Sequence, residues 1–238
     1  MLRFAIAKNK HTHALVIVIS KQIQNMRLNE KTIFICGLLG AAIFVIASLV
    51  ASFIAENYNP VQQLISESMS VDRPYSKEIR YFGYIPSGIL IMIFALAAPV
   101  NMPQSRQIRL SFYGIALFYG VATILVGIFP CEAGCNKEMI NPSIAQVIHN
   151  LSGFFTYIGM PLCLLLIGFG LKKAKTRGRL SQVSILLGIV SAFFVLVLFS
   201  EPLSPYAGLF QRIIEGIFVL WIIGCSISVK NHKNRSTN

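Results

Sequence analysis

Charge is what this chain has least of. Only 13% of its 238 residues are charged, where soluble domains carry roughly a quarter, and hydrophobic residues make up 55% at a mean hydropathy of +0.65. No soluble core of this length hides so much apolar surface, so the shortage excludes the soluble globular class. Acids are scarcer still, with nine Asp and Glu against 21 Lys and Arg. The net charge of +12 does not make a nucleic-acid reader, because the cations sit in short linkers between apolar runs, not on one folded polar face. Histidine is limited to His11, His13, His149 and His232, and only His149 falls near a long apolar run. That excludes a pair of helices carrying two axial haem ligands each and an all-histidine zinc cage, so no cofactor is expected. The HExxH pattern and the nucleophile-elbow serine are missing as well. No repeat of about 20 to 50 residues is present, and the first half does not resemble the second, which leaves out the usual signature of a transporter built from repeats.

What the chain does have is six long apolar runs, at 32–55, 83–100, 110–129, 147–171, 181–199 and 206–229. At a rise of about 1.5 Å per residue each matches the thickness of a bilayer core. Only helices cross lipid without orphaning their backbone groups, so the expected fold is all-α, a six-transmembrane-helix bundle over 32–229. The apolar patch at 14–19 is too short to span. Residues 1–31 therefore read as a basic cytosolic tail resting on the membrane surface, with Met26 as an alternative start, and 230–238 as a second cytosolic tail.

An even number of spans puts both termini on one side. Sixteen Lys and Arg lie in the tails and in the connections of that side, against Arg73, Lys77, Arg80 and Lys137 on the other. That bias sets insertion, so both termini are expected in the cytosol and the protein in the cell membrane.

The non-cytosolic side gathers the residues that carry chemistry. Tyr58, Asn59 and Pro60 read as a turn. After it, the spacing of Val61, Leu64 and Ile65 predicts a short amphipathic helix in the interface, with Ser66, Glu67 and Ser68 turned to the polar interior. Glu67 reads equally as a solvated loop acid. Cys131 and Cys135, with Gly134 between them, favour a disulfide if that face is oxidising; free thiols and metal ligation remain open, although one nearby histidine is a poor zinc set, and no metal is assigned. Cys36, Cys163 and Cys225 fall inside spans and read as small buried hydrophobes.

His149 and Asn150 enter the fourth span about one turn below the surface. Arg212 and Glu215 lie deeper in the sixth, about 9 and 13 Å along its axis. Their spacing of three allows an ion pair, and the cost of charge in lipid turns both inward. The pair reads in two ways: as a contact that locks helix packing, or as part of an outward-opening polar pocket lined by Arg212, Glu215, His149 and Glu67.

Tyr58–Asn59–Pro60, Ile65–Ser68 (ISES), Phe129–Cys131 with Gly134 and Cys135, His149–Asn150 and Gln211–Trp221 (QRIIEGIFVLW) together resemble, in that order, the domain-of-unknown-function family numbered 998. These are six-helix membrane proteins of mostly bacterial and archaeal origin, and the resemblance covers 26–228. More distantly the chain is similar to eukaryotic six-helix proteins of the damage-regulated autophagy modulator type, some linked to membrane lipid organisation. The resemblance implies a six-helix bundle with the motif residues on one face and implies no particular activity.

Three functions fit such a chain. The first is a non-enzymatic membrane protein binding a lipid head group or small anionic ligand, with Arg212 as the anion contact, Glu215 holding it and His149 tuning affinity. The second is a small transporter or accessory subunit. The third is an intramembrane lipid-modifying enzyme with His149 or Glu215 as base, a reading weakened by the missing catalytic motifs. The expected partners are membrane lipids and a small anionic ligand, with nucleic acid excluded.

Overall fold

The computed structural model describes residues 28–231, and every regular element among them is helical. The expectations about the basic tails and a start at Met26 fall largely outside those residues. Six helices are long and apolar enough to cross a membrane: α1 (Glu30–Ile54), α2 (Ser76–Asn101), α3 (Arg106–Ile128), α4 (Ile144–Lys173), α5 (Gly178–Ser200) and α6 (Ala207–Lys230). The all-α six-helix bundle expected from hydropathy is therefore the fold.

Polar caps mark where α1, α3 and α4 begin. Asn29 Oδ1 accepts from the Thr32 N–H at 2.7 Å, and the Ser105 and Ser143 side chains accept from Ile108 and Gln146 at the starts of α3 and α4. Both α2, which has no side-chain cap, and the capped α3 begin earlier than the apolar runs indicate, adding turns that carry Lys77, Glu78 and Arg80, and Arg106 and Arg109. Lys172, Lys173 and Lys230 occupy last turns, where a cation meets the negative end of the helix.

The helices pack in sequence order, each on the next, and α6 closes on α1, which makes a ring of six. Lys230 Nζ stands 4.5 Å over the Phe34 ring, so the end of α6 and the start of α1 share one end of the ring, here the basic end. The connections 55–75, 129–143 and 201–206 gather at the other, the loop end. The interior is aromatic: Phe94, Phe112 and Trp221 stand edge to tilted at 6.4 and 6.0 Å, and Trp221 Nε1 donates to Ser184 Oγ at 2.8 Å.

Apolar side chains gain little by leaving lipid for one another, so close approach by small residues holds such helices together. A Cβ on Gly88 would lie 2.7 Å from the Gly120 carbonyl oxygen, which places α2 and α3 in backbone contact. Along α5 the buried positions are mostly Ser181, Ser184, Gly188 and Ser191 for the same reason.

Two π-helical turns interrupt the regular ladder, at Arg80–Tyr84 in α2 and Ala116–Val121 in α3. The extra residue held in each turn re-aims the helix beyond it. Tyr84 and Tyr119 sit in these turns and are fully buried.

The segment after Pro60 differs from the expected interfacial helix. It is a five-residue 3₁₀ turn, Ile65–Met69, with Ile65, Glu67, Ser68 and Met69 buried. Local hydrogen bonds hold it in: Val61 N–H donates to Asn59 Oδ1 at 3.0 Å, Tyr58 O–H to the Leu64 carbonyl at 2.8 Å, and Ile65 N–H to Gln211 Oε1 on α6 at 2.6 Å. A helix lying out in the interface would surrender the bond to Gln211 on α6.

Candidate functional site

At the loop end the ring encloses a cavity of about 510 Å³ that touches all six helices. Its walls are mainly apolar and aromatic, with Phe44, Tyr84, Tyr119, Phe154, Tyr157 and Phe199 prominent. Glu215 lies deepest among its charged side chains. Tyr119 O–H donates to Glu215 Oε2 at 3.0 Å. Gln211 Nε2 donates to the Tyr157 hydroxyl at 2.6 Å, and Tyr157 lines the same cavity as Glu215. One phenol thus holds the carboxylate, and no cation of the described residues pairs with it.

The roof comes from two connections. Lys137 Nζ meets Glu67 Oε1 at 2.7 Å, the same oxygen that accepts from the Leu64 N–H at 2.8 Å. Val71 N–H donates to the Cys131 carbonyl at 3.1 Å, tying the first connection to the cysteine loop. Cys131 and Cys135 form a disulfide around a turn in which Gly134 takes φ of 62°, a left-handed value that favours glycine. Their sulfurs and a His149 ring nitrogen lie within 4.8 Å of one another, but joined sulfurs are not thiolate ligands.

The cysteine loop is stapled to α4. Gln146 Oε1 accepts from the Glu132 N–H at 2.7 Å while its Nε2 donates to the Cys135 carbonyl at 3.0 Å. His149 Nδ1 lies 2.9 Å from the Phe129 carbonyl, so this nitrogen carries the proton and Nε2 is left as the acceptor. Glu132, outside the spans, accepts from the Ser143 N–H at 2.6 Å and from Asn136 Nδ2 at 2.7 Å. Those bonds, the Ser143 backbone first, hold its carboxyl below the usual range.

Of the residues singled out in the sequence, Glu215 and His149 line the cavity and Glu67 anchors its roof through Lys137. Arg212 is elsewhere. Its Nη1 donates to the carbonyls of Pro60, Gln63 and Gly208 at 2.7, 3.0 and 3.1 Å, and its Nη2 to Ser52 Oγ at 3.2 Å and to the Tyr58 hydroxyl. The ion pair with Glu215 that the spacing allows is not formed: a spacing of three sets the two about 60° apart around α6, and a long side chain leans towards the helix N-terminus, here towards the loop carbonyls. Sequence reasoning misses Lys137, Gln211, Tyr119 and Tyr157. Gln211 is within its reach, four residues before Glu215 and so on the same face. The tyrosines carry no signal that separates them from core aromatics.

Comparison with known proteins places these residues in a family. The family described as Protein of unknown function (DUF998) matches residues 38–228, a stretch that contains every residue lining the cavity. No curated protein and no solved structure matches the chain.

Proposed function

Because the chain belongs to the DUF998 family, whose function is unknown, we propose a role from the cavity itself: a multi-pass membrane protein that binds a membrane lipid or similar amphiphile at the loop end of its ring. The observation that carries this is a cavity of about 510 Å³ with aromatic and aliphatic walls and a few convergent polar groups, the size and make-up of a small-molecule site. Leu151, Phe154 and Phe199 line the cavity and are also 49%, 45% and 41% exposed on the lipid-facing flank of α4 and α5. An acyl chain reaches the cavity through that flank without crossing water. The bias of Lys and Arg towards the basic end supports a loop end on the non-cytosolic face.

The reading does not use Arg212 as an anion contact, since its donors are spent on loop carbonyls. An anion in the cavity would find Lys137, which Glu67 already neutralises, and His149, whose Nδ1–H is spent on the Phe129 carbonyl.

Gly153 tests the reading, because it lines the cavity and an added Cβ there meets nothing within 4 Å. Gly153→Leu should fill the space without disturbing packing. Protein purified in detergent should carry bound lipid or take up a fluorescent fatty amphiphile, and Gly153→Leu should lose at least about tenfold in affinity. Equal occupancy in the two proteins, both folded by circular dichroism, would end the proposal.

A further inference from the structure

The charge inside the cavity narrows the ligand. Glu67 and Lys137 cancel at the roof, which leaves the Glu215 carboxylate, 9% exposed, as the unbalanced acid facing the space. Around it stand rings, not cations: Phe44 lies 5.3 Å from Tyr84 and 5.9 Å from Tyr119, and Tyr119 lies 5.7 Å from Phe218. Tyr119 supplies a donor that fixes the carboxylate in place, yet a carboxylate has about four lone-pair sites and this phenol uses one. A site of this make-up suits one kind of guest. Ring faces are negative and attract a cation, and the attraction of a carboxylate for an opposite charge is stronger in a low-dielectric setting than in water.

We infer that the cavity takes an amphiphile whose buried polar group is a positive amine, either a protonated amine or a quaternary ammonium, seated between Glu215 and the rings of Phe44, Tyr84, Tyr119 and Tyr157. The inference rests on the binding role proposed above and adds the sign and class of the head group. It also reverses the anionic ligand expected from the sequence, which depended on an arginine that the fold commits to backbone carbonyls. The alkyl portion runs along Leu151, Phe154 and Phe199 towards the open flank.

The test compares three probes of one alkyl chain length: an alkyltrimethylammonium, an alkyl phosphate and a monoacylglycerol. Each is titrated into the full-length protein in maltoside micelles, which present no charged head group, and binding is followed by tryptophan fluorescence and native mass spectrometry. The ammonium probe should bind at least about tenfold tighter than the uncharged one, and the phosphate weaker than both. Glu215→Gln keeps the shape and removes the charge, so it should cut the preference for the ammonium probe to the roughly two- to fivefold that the rings alone supply. Gly153→Leu should weaken all three.

If Gly153→Leu weakens the probes but the ammonium is not preferred, or its preference is undiminished by Glu215→Gln, the cation paired with Glu215 is overturned and the binding cavity stands. If no probe responds to Gly153→Leu, the cavity reading falls and the cation with it. The ranking of the probes in the wild-type protein needs no variant, so a misfolded Glu215→Gln would still leave the inference open to refutation.

Discussion

Arg212 shows how a charge inside a span is satisfied without an opposite charge. Its guanidinium bridges α1, α6 and the first connection through three carbonyls and two hydroxyls, and Gly208 permits this because a Cβ there would collide with the Gln63 and Pro60 carbonyls. A planar fork serves several acceptors that a lysine ammonium reaches only in part. Arg212→Ala should therefore cost about 2 kcal/mol, seen as an apparent Tm lower by about 5 °C in detergent with faster proteolysis near Gln63, and Arg212→Lys should recover less than half. A drop in probe affinity with unchanged melting would instead give Arg212 the direct ligand contact that the sequence suggests. Glu132 behaves differently because water reaches it. Hydrogen bonds to its ionised form depress its carboxyl, so the stability it lends the cysteine loop is fully present above the ordinary value of about 4.3 and is lost as pH falls through the lowered one. Protection of the Ser143 amide against exchange, corrected for intrinsic rate, should be high at neutral pH and fall in acid. Glu132→Gln should be weakly protected throughout, with the pH dependence gone.

At the level of elements, the spans are legible in the sequence and their joints are not. Hydropathy locates a helix that must be lined with apolar groups for the length of a bilayer, which is why it finds all six. It is blind to polar turns, so it places the start of α2 at 83, seven residues after the helix begins at Ser76. It is equally blind to the π-helical turns that aim Tyr84 and Tyr119 inward, since a tyrosine within an apolar run reads as core. Of the site, Glu215 and His149 are visible because an ionisable group in a span needs a reason, and the disulfide because two cysteines sit four apart. Lys137 and its partnership with Glu67 depend on two connections folding over one another, which no local pattern records. The backbone contact of α2 with α3 is the joint most open to test. Gly88→Leu puts carbon 2.7 Å from a carbonyl that cannot yield, so the pair must separate at a cost of about 1–3 kcal/mol. Gly216→Leu, with nothing within 4 Å, is the matched control and should leave the apparent Tm within about 2 °C.

For the molecule as a whole, ring closure and charge asymmetry combine into one prediction about the membrane. Lys230 over Phe34 joins the first and last helices at the basic end, where Arg177 also donates to the Ser228 and Asn101 carbonyls at 2.9 and 2.6 Å. The roof and the disulfide occupy the opposite end. Two independent rules then point the same way: Lys and Arg bias a connection to stay in the cytosol, and a disulfide persists where the surroundings are oxidising. A reporter enzyme that works only in the cytosol, fused after Asn238, should be active, and one inserted after Ser204 should be silent. With that orientation, Cys131 and Cys135 in intact cells should resist an impermeant maleimide until a reductant is added, because they are paired. An active reporter after Ser204 would turn the ring over, put the roof and Glu215 within reach of cytosolic ligands, and leave the disulfide in a compartment that reduces it.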